Sequence, residues 1–325
     1  MEWQKTILNH LITEIATPLS RLLPEDWQAL EEIRLRVGQG VLIKFFSKDA
    51  YLSVSGSLTD EMTAETVMVS KSRLERMVML LSKSSFYALE EELRQGYLTI
   101  PGGHRIGFAG EGVVEQRQLK TLKHISSLNF RIARSVLGAA EILLPHIVEE
   151  GRLLQTLLVS PPRVGKTTIL RDLARMLSDG MMGLPPLEVG IADERLEIAA
   201  AWEGVPQLAI GSRCDVLSGC PKEEAMMLLI RSMAPDVILT DEIGKKADAQ
   251  ALAEALNAGI RVVATAHGSS YQELLGRPVL QELLRSGYFQ RVIFLGRQDQ
   301  AVKVKQVWDG QGRLQYDWEK GRLPC

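Results

Sequence analysis

The sequence predicts an α/β fold, and three observations carry that expectation. The apolar run Leu153 to Val159 feeds into Ser160-Pro161-Pro162-Arg163-Val164-Gly165-Lys166-Thr167-Thr168, which opens an apolar-periodic helix. Further apolar runs, at Leu187 to Ala192, Val237 to Thr240, Arg261 to Thr265 and Val292 to Leu295, are separated by stretches of helical spacing. Ahead of them, residues 1–138 mix helical periodicity with short alternating segments. Continuous apolar strands separated by helices describe a mostly parallel sheet covered on both faces. The expected organisation is a smaller α+β domain over residues 1–138 and a larger α/β domain over residues 139–325. At 325 residues, 46% of them hydrophobic, the chain is long enough for two such cores.

Ile7, Leu8, Leu11, Ile12, Ile15, Leu19 and Leu22 recur at helical spacing and predict a helix packed on its own domain. A helix lying on a membrane surface or docking a partner is the other reading of that stripe, although few Lys or Arg flank it. Glu32-Ile33-Arg34-Leu35-Arg36-Val37 alternates charged and apolar residues as a half-buried strand does, with Gly38 and Gly40 as the turn signal after it. Helical spacing returns over Lys71 to Arg94, with Leu74, Met77, Val78 and Leu81 on one face. The period then changes to that of an antiparallel meander: Tyr97 to Ile100, the turn Pro101-Gly102-Gly103, Arg105 to Phe108, and Leu119 to Ile125. The segment Ser127 to Arg134 leads through a short helical stretch into the strand before Ser160, and the domain boundary falls between Arg134 and Gly151.

A strand, a loop and a helix starting at a lysine are the setting of a phosphate-binding loop. There, backbone N–H groups and a helix N-terminus converge on phosphate oxygens, the lysine reaches the outer phosphates and the next hydroxyl holds Mg²⁺. Ser160 to Thr168 then bind a nucleoside triphosphate, with Lys166 on the β and γ phosphates, Thr167 on the metal and Thr168 on the α phosphate. ATP and Mg²⁺ are the expected cofactors. The usual pattern has Gly where this chain has Ser160, and Ser adopts φ > 0 less cheaply than Gly, a departure that bears on turnover more than on binding. A Gly-Lys-Thr that merely starts a helix is the plainer alternative.

Ligands of such sheets bind beyond the carboxyl ends of the strands, and polar clusters stand at those ends. Val237 to Thr240 runs into Asp241-Glu242. Phosphoryl transfer needs an acid to steady the Mg²⁺ shell and a group to orient and deprotonate the attacking water, roles that suit Asp241 and Glu242 respectively. The pair equally suits a cap on the following helix. Asp193-Glu194-Arg195-Leu196-Glu197, after Ala192, either places a metal-bound or catalytic water or is a solvated loop with an Arg–Glu pair. Val262 to Ala266 ends at His267, and Thr265 or His267 stands where a γ-phosphate is sensed by hydrogen bonding; an ordinary satisfied histidine is the alternative. Arg195, Arg213, Arg131 and Arg134 are candidates for the positive charge that phosphoryl transfer requires beyond the loop lysine.

A formal net charge of −2 supplies no global basic field to recruit nucleic acid or anionic lipid. Cys214, Cys220 and Cys325 form no C-x-x-C pair and no even set, which argues against a disulfide framework or a zinc cluster and fits a reducing cytoplasm. No run of about 18 apolar residues occurs, and the first residues lack the basic-then-apolar order of a leader, so neither a spanning nor a secreted chain is expected.

Taken together, Ser160 to Thr168, Ala192-Asp193-Glu194-Arg195, Arg213-Cys214-Asp215-Val216-Leu217, Pro235 to Gly244 and Ala264-Thr265-Ala266-His267-Gly268 resemble the stage III sporulation AA family, which is similar to the motor ATPases of type II and type IV secretion and of type IV pili. Glu32 to Val37, Pro101 to Gly107 and Ser126 to Arg134 resemble it as well, so the likeness covers nearly the whole chain. The resemblance implies a RecA-like P-loop ATPase core behind the smaller α+β N-terminal domain, which would contact partners and clamp nucleotide. It also implies a homo-oligomeric ring, a hexamer, peripheral at the cytoplasmic face of a membrane on the mother-cell side. Its partners would be integral-membrane proteins of a sporulation channel to the forespore, with no nucleic acid. Asp193 and Glu194 match the family's acidic box and His267 its histidine box, so the expected catalytic set is Glu242, Glu194, Arg195, Arg213 and His267. Asp241 is an acid where many secretion relatives have Gly, which makes the metal site resemble a general RecA-type one. Two other readings stay open: a nucleic-acid-remodelling ATPase on the same core, and a nucleotide-gated scaffold with little turnover, which Ser160 motivates.

Overall fold

The computed structural model describes residues 2–46, 48–82, 93–94, 96–115, 117–181, 183–298 and 301–322. The chain divides into two compact units, Met1–Arg134 and Ser135–Cys325.

In the first unit, the apolar stripe at the N-terminus is shared by two helices, α1 (Glu2–Asn9) and α2 (Thr13–Leu19), rather than carried by one. Periodicity does not register the bend between them, where Ile12 is extended (φ −64°, ψ 151°) and its N–H points at Met77 Sδ, 3.0 Å away. Ile7, Leu11, Ile15 and Leu19 are buried all the same. After α3 (Pro24–Ala29) comes the predicted alternating strand β1 (Leu30–Arg36), whose Ile33 and Leu35 point into the core while Arg36 stays exposed. It lies at the centre of a seven-stranded antiparallel sheet, ordered β4-β3-β2-β1-β7-β6-β5, with β2 (Leu42–Phe45), β3 (Asp49–Leu52) and β4 (Leu58–Thr59) on one side. The meander supplies the other side as β5 (Tyr97–Ile100), β6 (His104–Glu115) and β7 (Gln118–Arg131). Its turn needs Gly102 and Gly103 because both take positive φ, 83° and 73°, which costs a residue with a Cβ more than it costs Gly. Helix α4 (Lys71–Leu81) starts at Ser70, whose hydroxyl accepts the Arg73 N–H, and buries Leu74, Met77, Val78 and Leu81. Residues 83–92 of the expected helix lie outside the described residues. Each fully buried aliphatic side chain of this core contributes about 1.5–3 kcal/mol.

The second unit is built on a nine-stranded sheet, ordered β12-β11-β13-β14-β10-β15-β16-β17-β18. Two short segments, α5 (Leu144–Ile147) and the β8 (Val148–Glu149)–β9 (Arg152–Leu153) hairpin, precede it. Strands β10 (Thr156–Ser160), β11 (Val189–Asp193), β12 (Cys214–Ser218), β13 (Val237–Thr240), β14 (Arg261–His267) and β15 (Arg291–Gln298) run parallel. Side chains alternate between two cores. Leu158, Ile191, Leu239, Val263 and Ile293 meet α6 (Lys166–Ser178) on one face. Leu157, Val159, Ile238, Val262 and Phe294 meet α7 (Lys222–Ser232), α8 (Lys246–Asn257) and α10 (Pro278–Arg285) on the other, with α9 (Tyr271–Leu275) beside them.

Two parts of this sheet were not anticipated. Strand β12 is an edge strand, half-exposed along its length, so its sequence lacks the continuous apolar character of its neighbours. Beyond β15 the sheet turns antiparallel through β16 (Ala301–Asp309), β17 (Leu314–Asp317) and β18 (Gly321–Arg322). Val302, Val304 and Val307 against Lys303 and Lys305 do signal the largest of these strands.

Candidate nucleotide site

Because β11, β13, β14 and β10 are parallel neighbours, their carboxyl ends share one edge of the sheet, and Ser160 to Thr168, Asp193-Glu194-Arg195, Asp241-Glu242 and His267 stand there. Ser160 and His267 are opposite each other in the β10–β14 register. The loop 161–165 turns off β10 with Pro161, Pro162 and Arg163 exposed and Val164 half-buried, and Lys166, Thr167 and Thr168 form the first turn of α6. Positive φ falls at Arg163 (63°) and Gly165 (124°), not at Ser160, which is the last residue of β10. The backbone strain expected from Ser in place of Gly is therefore absent. The difference is chemical: the Ser160 hydroxyl accepts a hydrogen bond from Lys166 Nζ at 3.1 Å.

Lys166 Nζ also donates to the carbonyls of Ser160 (2.9 Å) and Pro161 (3.2 Å), and it lies 3.1 Å from His267 Nδ1. Burial pulls this ammonium down to about 8, against the opposing pull of the Glu242 carboxylate. With an ammonium on Nδ1, the imidazole proton belongs on Nε2, which donates to Glu242 Oε1 at 2.8 Å. Arg195 Nη1 holds the other oxygen, Oε2, at 2.7 Å. Burial alone would raise the Glu242 carboxyl, but the His267 hydrogen bond and the positive charges of Arg195 and Lys222 hold it below the usual range. One chain of contacts thus runs Lys166–His267–Glu242–Arg195.

Glu242 itself has φ 47°, a left-handed backbone. Its N–H donates to Thr265 Oγ1 (2.9 Å), and the next N–H, of Ile243, donates to the Thr265 carbonyl (2.8 Å). Thr265 is fully buried, and its hydroxyl is occupied with that support, so of the two proposed phosphate sensors only His267 faces Lys166.

Asp241 is buried, and both its carboxylate oxygens lack a hydrogen-bond partner among the described residues. Burial pushes its carboxyl up to about 7; Lys222 pulls the other way, while Asp193, Glu197 and Glu242 add to the rise. An orphaned buried carboxylate fits a hard, oxygen-ligated cation. Among the described residues no three His, Cys, Asp or Glu side chains are grouped so as to hold a metal ion, so such an ion would take its remaining ligands from phosphate oxygens, water and the Thr167 hydroxyl.

The acidic cluster after β11 divides its labour. Asp193 is buried, and its carboxylate accepts the N–H groups of Glu197 (2.7 Å), Ile198 (3.1 Å) and Ala199 (2.9 Å), which builds the turn. Glu194 instead faces cations, Lys222 and Lys245, each at 3.4 Å. Arg213 does not join this edge: it precedes β12 at the opposite end of the sheet and pairs with Glu188 at 2.7 Å. Arg131 and Arg134 belong to the first unit, where Arg131 lies near Glu32 and Arg134 donates to the carbonyls of Trp27, Gln28 and Leu30. Lys222 was not foreseen. Its signal in the sequence, a lysine opening a helix after a strand, is weak.

A phosphate-loop strand next to a parallel sheet whose neighbouring strands end in acids and a histidine, extended by antiparallel strands, is the RecA-like P-loop ATPase fold, here joined to a smaller α+β unit. Solved structures agree on the fold. The ATPase DotB of Legionella pneumophila superposes with a TM-score of 0.55 at 14% identity, covering 95% of this chain and 82% of that one. The pilus retraction motor PilT, solved with bound ADP, gives 0.54 at 13% identity, covering 91% and 81%. The chain belongs to the family described as sporulation stage III, protein AA, whose sequence model matches residues 1–314. Stage III sporulation protein AA of Bacillus subtilis (strain 168) is 44% identical over 296 residues, 91% of this chain and 92% of that protein.

Proposed function

We propose that this sporulation protein is a Mg²⁺-dependent ATPase of the secretion-motor type. It works as a homo-oligomeric ring, a hexamer, that converts hydrolysis into domain motion for integral-membrane proteins of a channel between mother cell and forespore. It sits at the cytoplasmic face on the mother-cell side; no helix among the described residues is long and apolar enough to cross a membrane. The observation that supports this best is the placement of Glu242, two hydrogen-bonded steps from Lys166 through His267. In this reading Lys166 takes the β and γ phosphates, Thr168 the α phosphate, and Thr167 with Asp241 the Mg²⁺, which supplies charge neutralisation at the phosphates. Glu242 orients the water and accepts its proton, and His267 reports the γ-phosphate to it. Arg195 stabilises developing negative charge once released from Glu242, Glu194 orders the water shell, and Arg213, at the far end of its strand, can act only on a neighbouring subunit.

The test is Mg²⁺-dependent ATP hydrolysis by the parent and Lys166→Ala proteins, with light scattering on the same samples with and without ATP. Hydrolysis and ATP-promoted assembly, both lost in the variant, are expected. The engagement of Lys166 by the Ser160 hydroxyl favours one second reading, the nucleotide-gated scaffold; tight nucleotide binding with no hydrolysis would select it.

A further inference from the structure

Lys222 has no place in the roles assigned above, yet it is more deeply buried than the loop lysine, 4% exposed against 6% for Lys166. It is the first residue of α7, the positive end of a helix, where a cation gains nothing from the helix dipole. Burying it also forfeits hydration. What it obtains in return lies on another strand. Reaching from the helix after β12 past the end of β11, its ammonium donates to the main-chain carbonyls of Asp241 (2.6 Å) and Glu242 (2.9 Å) and faces Glu194 Oε2 at 3.4 Å.

These contacts explain how a residue with a Cβ is held in the left-handed conformation at Glu242. Thr265 binds the N–H side of residue 242 and Lys222 its carbonyl side, so its peptide units are clamped from opposite directions. With the backbone fixed, the side chain is directed to His267 and Arg195. We infer that Lys222 is a positioning residue: by holding the carbonyls of Asp241 and Glu242 it sets the direction of the Glu242 carboxylate without itself touching nucleotide. The inference rests on the reading of Glu242 as the residue that orients the attacking water.

The experiment uses the full chain and two substitutions, Lys222→Met and Lys222→Gln, beside Glu242→Gln. It measures kcat and KM for Mg·ATP, affinity for fluorescent ADP, the thermal midpoint and amide exchange over residues 238–244. Lys222→Met should lower kcat on the order of 10²-fold, the scale of a misplacement of about 1 Å at a reacting group. ADP affinity and the thermal midpoint should stay near parental values, and exchange at Glu242 and Ile243 should quicken. Lys222→Gln, which keeps a donor, should lie between. Parental hydrolysis by Lys222→Met, with Glu242→Gln inactive, overturns the inference and leaves the Glu242 reading intact; parental hydrolysis by Glu242→Gln removes that reading itself. Loss of ADP affinity in step with kcat in both Lys222 variants would make the lysine a structural prop and overturn the inference. So would unchanged amide exchange in both variants, an arm that decides even where parental turnover is slow.

Discussion

Glu242→Gln separates chemistry from binding. The amide keeps the shape of the carboxylate and one of its two partners: if its oxygen accepts from His267, its NH₂ faces the Arg195 guanidinium, and that contact is lost. Arg195 is 60% exposed, so the lost ion pair is worth about 0–1 kcal/mol. For a unit of this size that moves the thermal midpoint by at most about 2–4 °C. Removing the negative charge also lessens the repulsion of an incoming γ-phosphate, so ATP affinity should hold or improve. The proton acceptor, however, is gone, and general-base catalysis is worth about 10²–10⁴ in rate, or roughly 3–5 kcal/mol of barrier. Phosphate release under saturating ATP and titration with fluorescent nucleotide, on one preparation, read the two effects apart. Turnover within about twofold of the parent would refute the assignment of Glu242 as the base, since even the low end of that range is a hundredfold. A fall in affinity matching the fall in rate would refute it differently, by making Glu242 a prop for Lys166 and His267.

Two further outcomes follow from the buried charges. Lys166 loses its proton near pH 8 instead of near 10.5, so nucleotide affinity of the parent should weaken as pH rises through about 8, while Lys166→Arg, whose guanidinium does not titrate there, should show a flat profile; ADP titrations from pH 7 to 9.5 are the check. Asp241 is raised from 3.8 to about 7, so the folded state binds the proton more tightly than the unfolded chain, and stability is lost as pH rises between those values. Asp241→Asn should therefore stabilise the nucleotide-free protein at pH 8 by up to about 4 kcal/mol, at about 1.4 kcal/mol per pH unit, with a smaller gain at pH 5. Thermal melts at the two pH values test this, and an equal gain at both would show that the carboxylate's charge is not what costs stability.

The site was legible where it is made of side chains borne on strand ends. Ser160, Asp193, Asp241 and His267 each close an apolar run or stand one residue beyond it, and a parallel sheet gathers such positions at one edge whatever their separation in sequence. What each carboxylate does there was less legible. Asp193 and Glu194 are adjacent acids, yet one is consumed by three backbone N–H groups while the other faces two lysines, a division decided by how the turn after β11 closes. Ser160 shows the same limit from the other side. Its identity suggested strain in a backbone that turns out to be extended, because the positive φ angles fell on Arg163 and Gly165 instead. Lys222 marks where motif reading stops for a physical reason. Its partners are the carbonyl oxygens of Asp241 and Glu242, groups that every residue carries. No letter in the sequence reports that those two carbonyls face a cation; only the left-handed turn of a residue on one strand end, brought within reach of a helix on the far side of β11, makes the lysine part of the site.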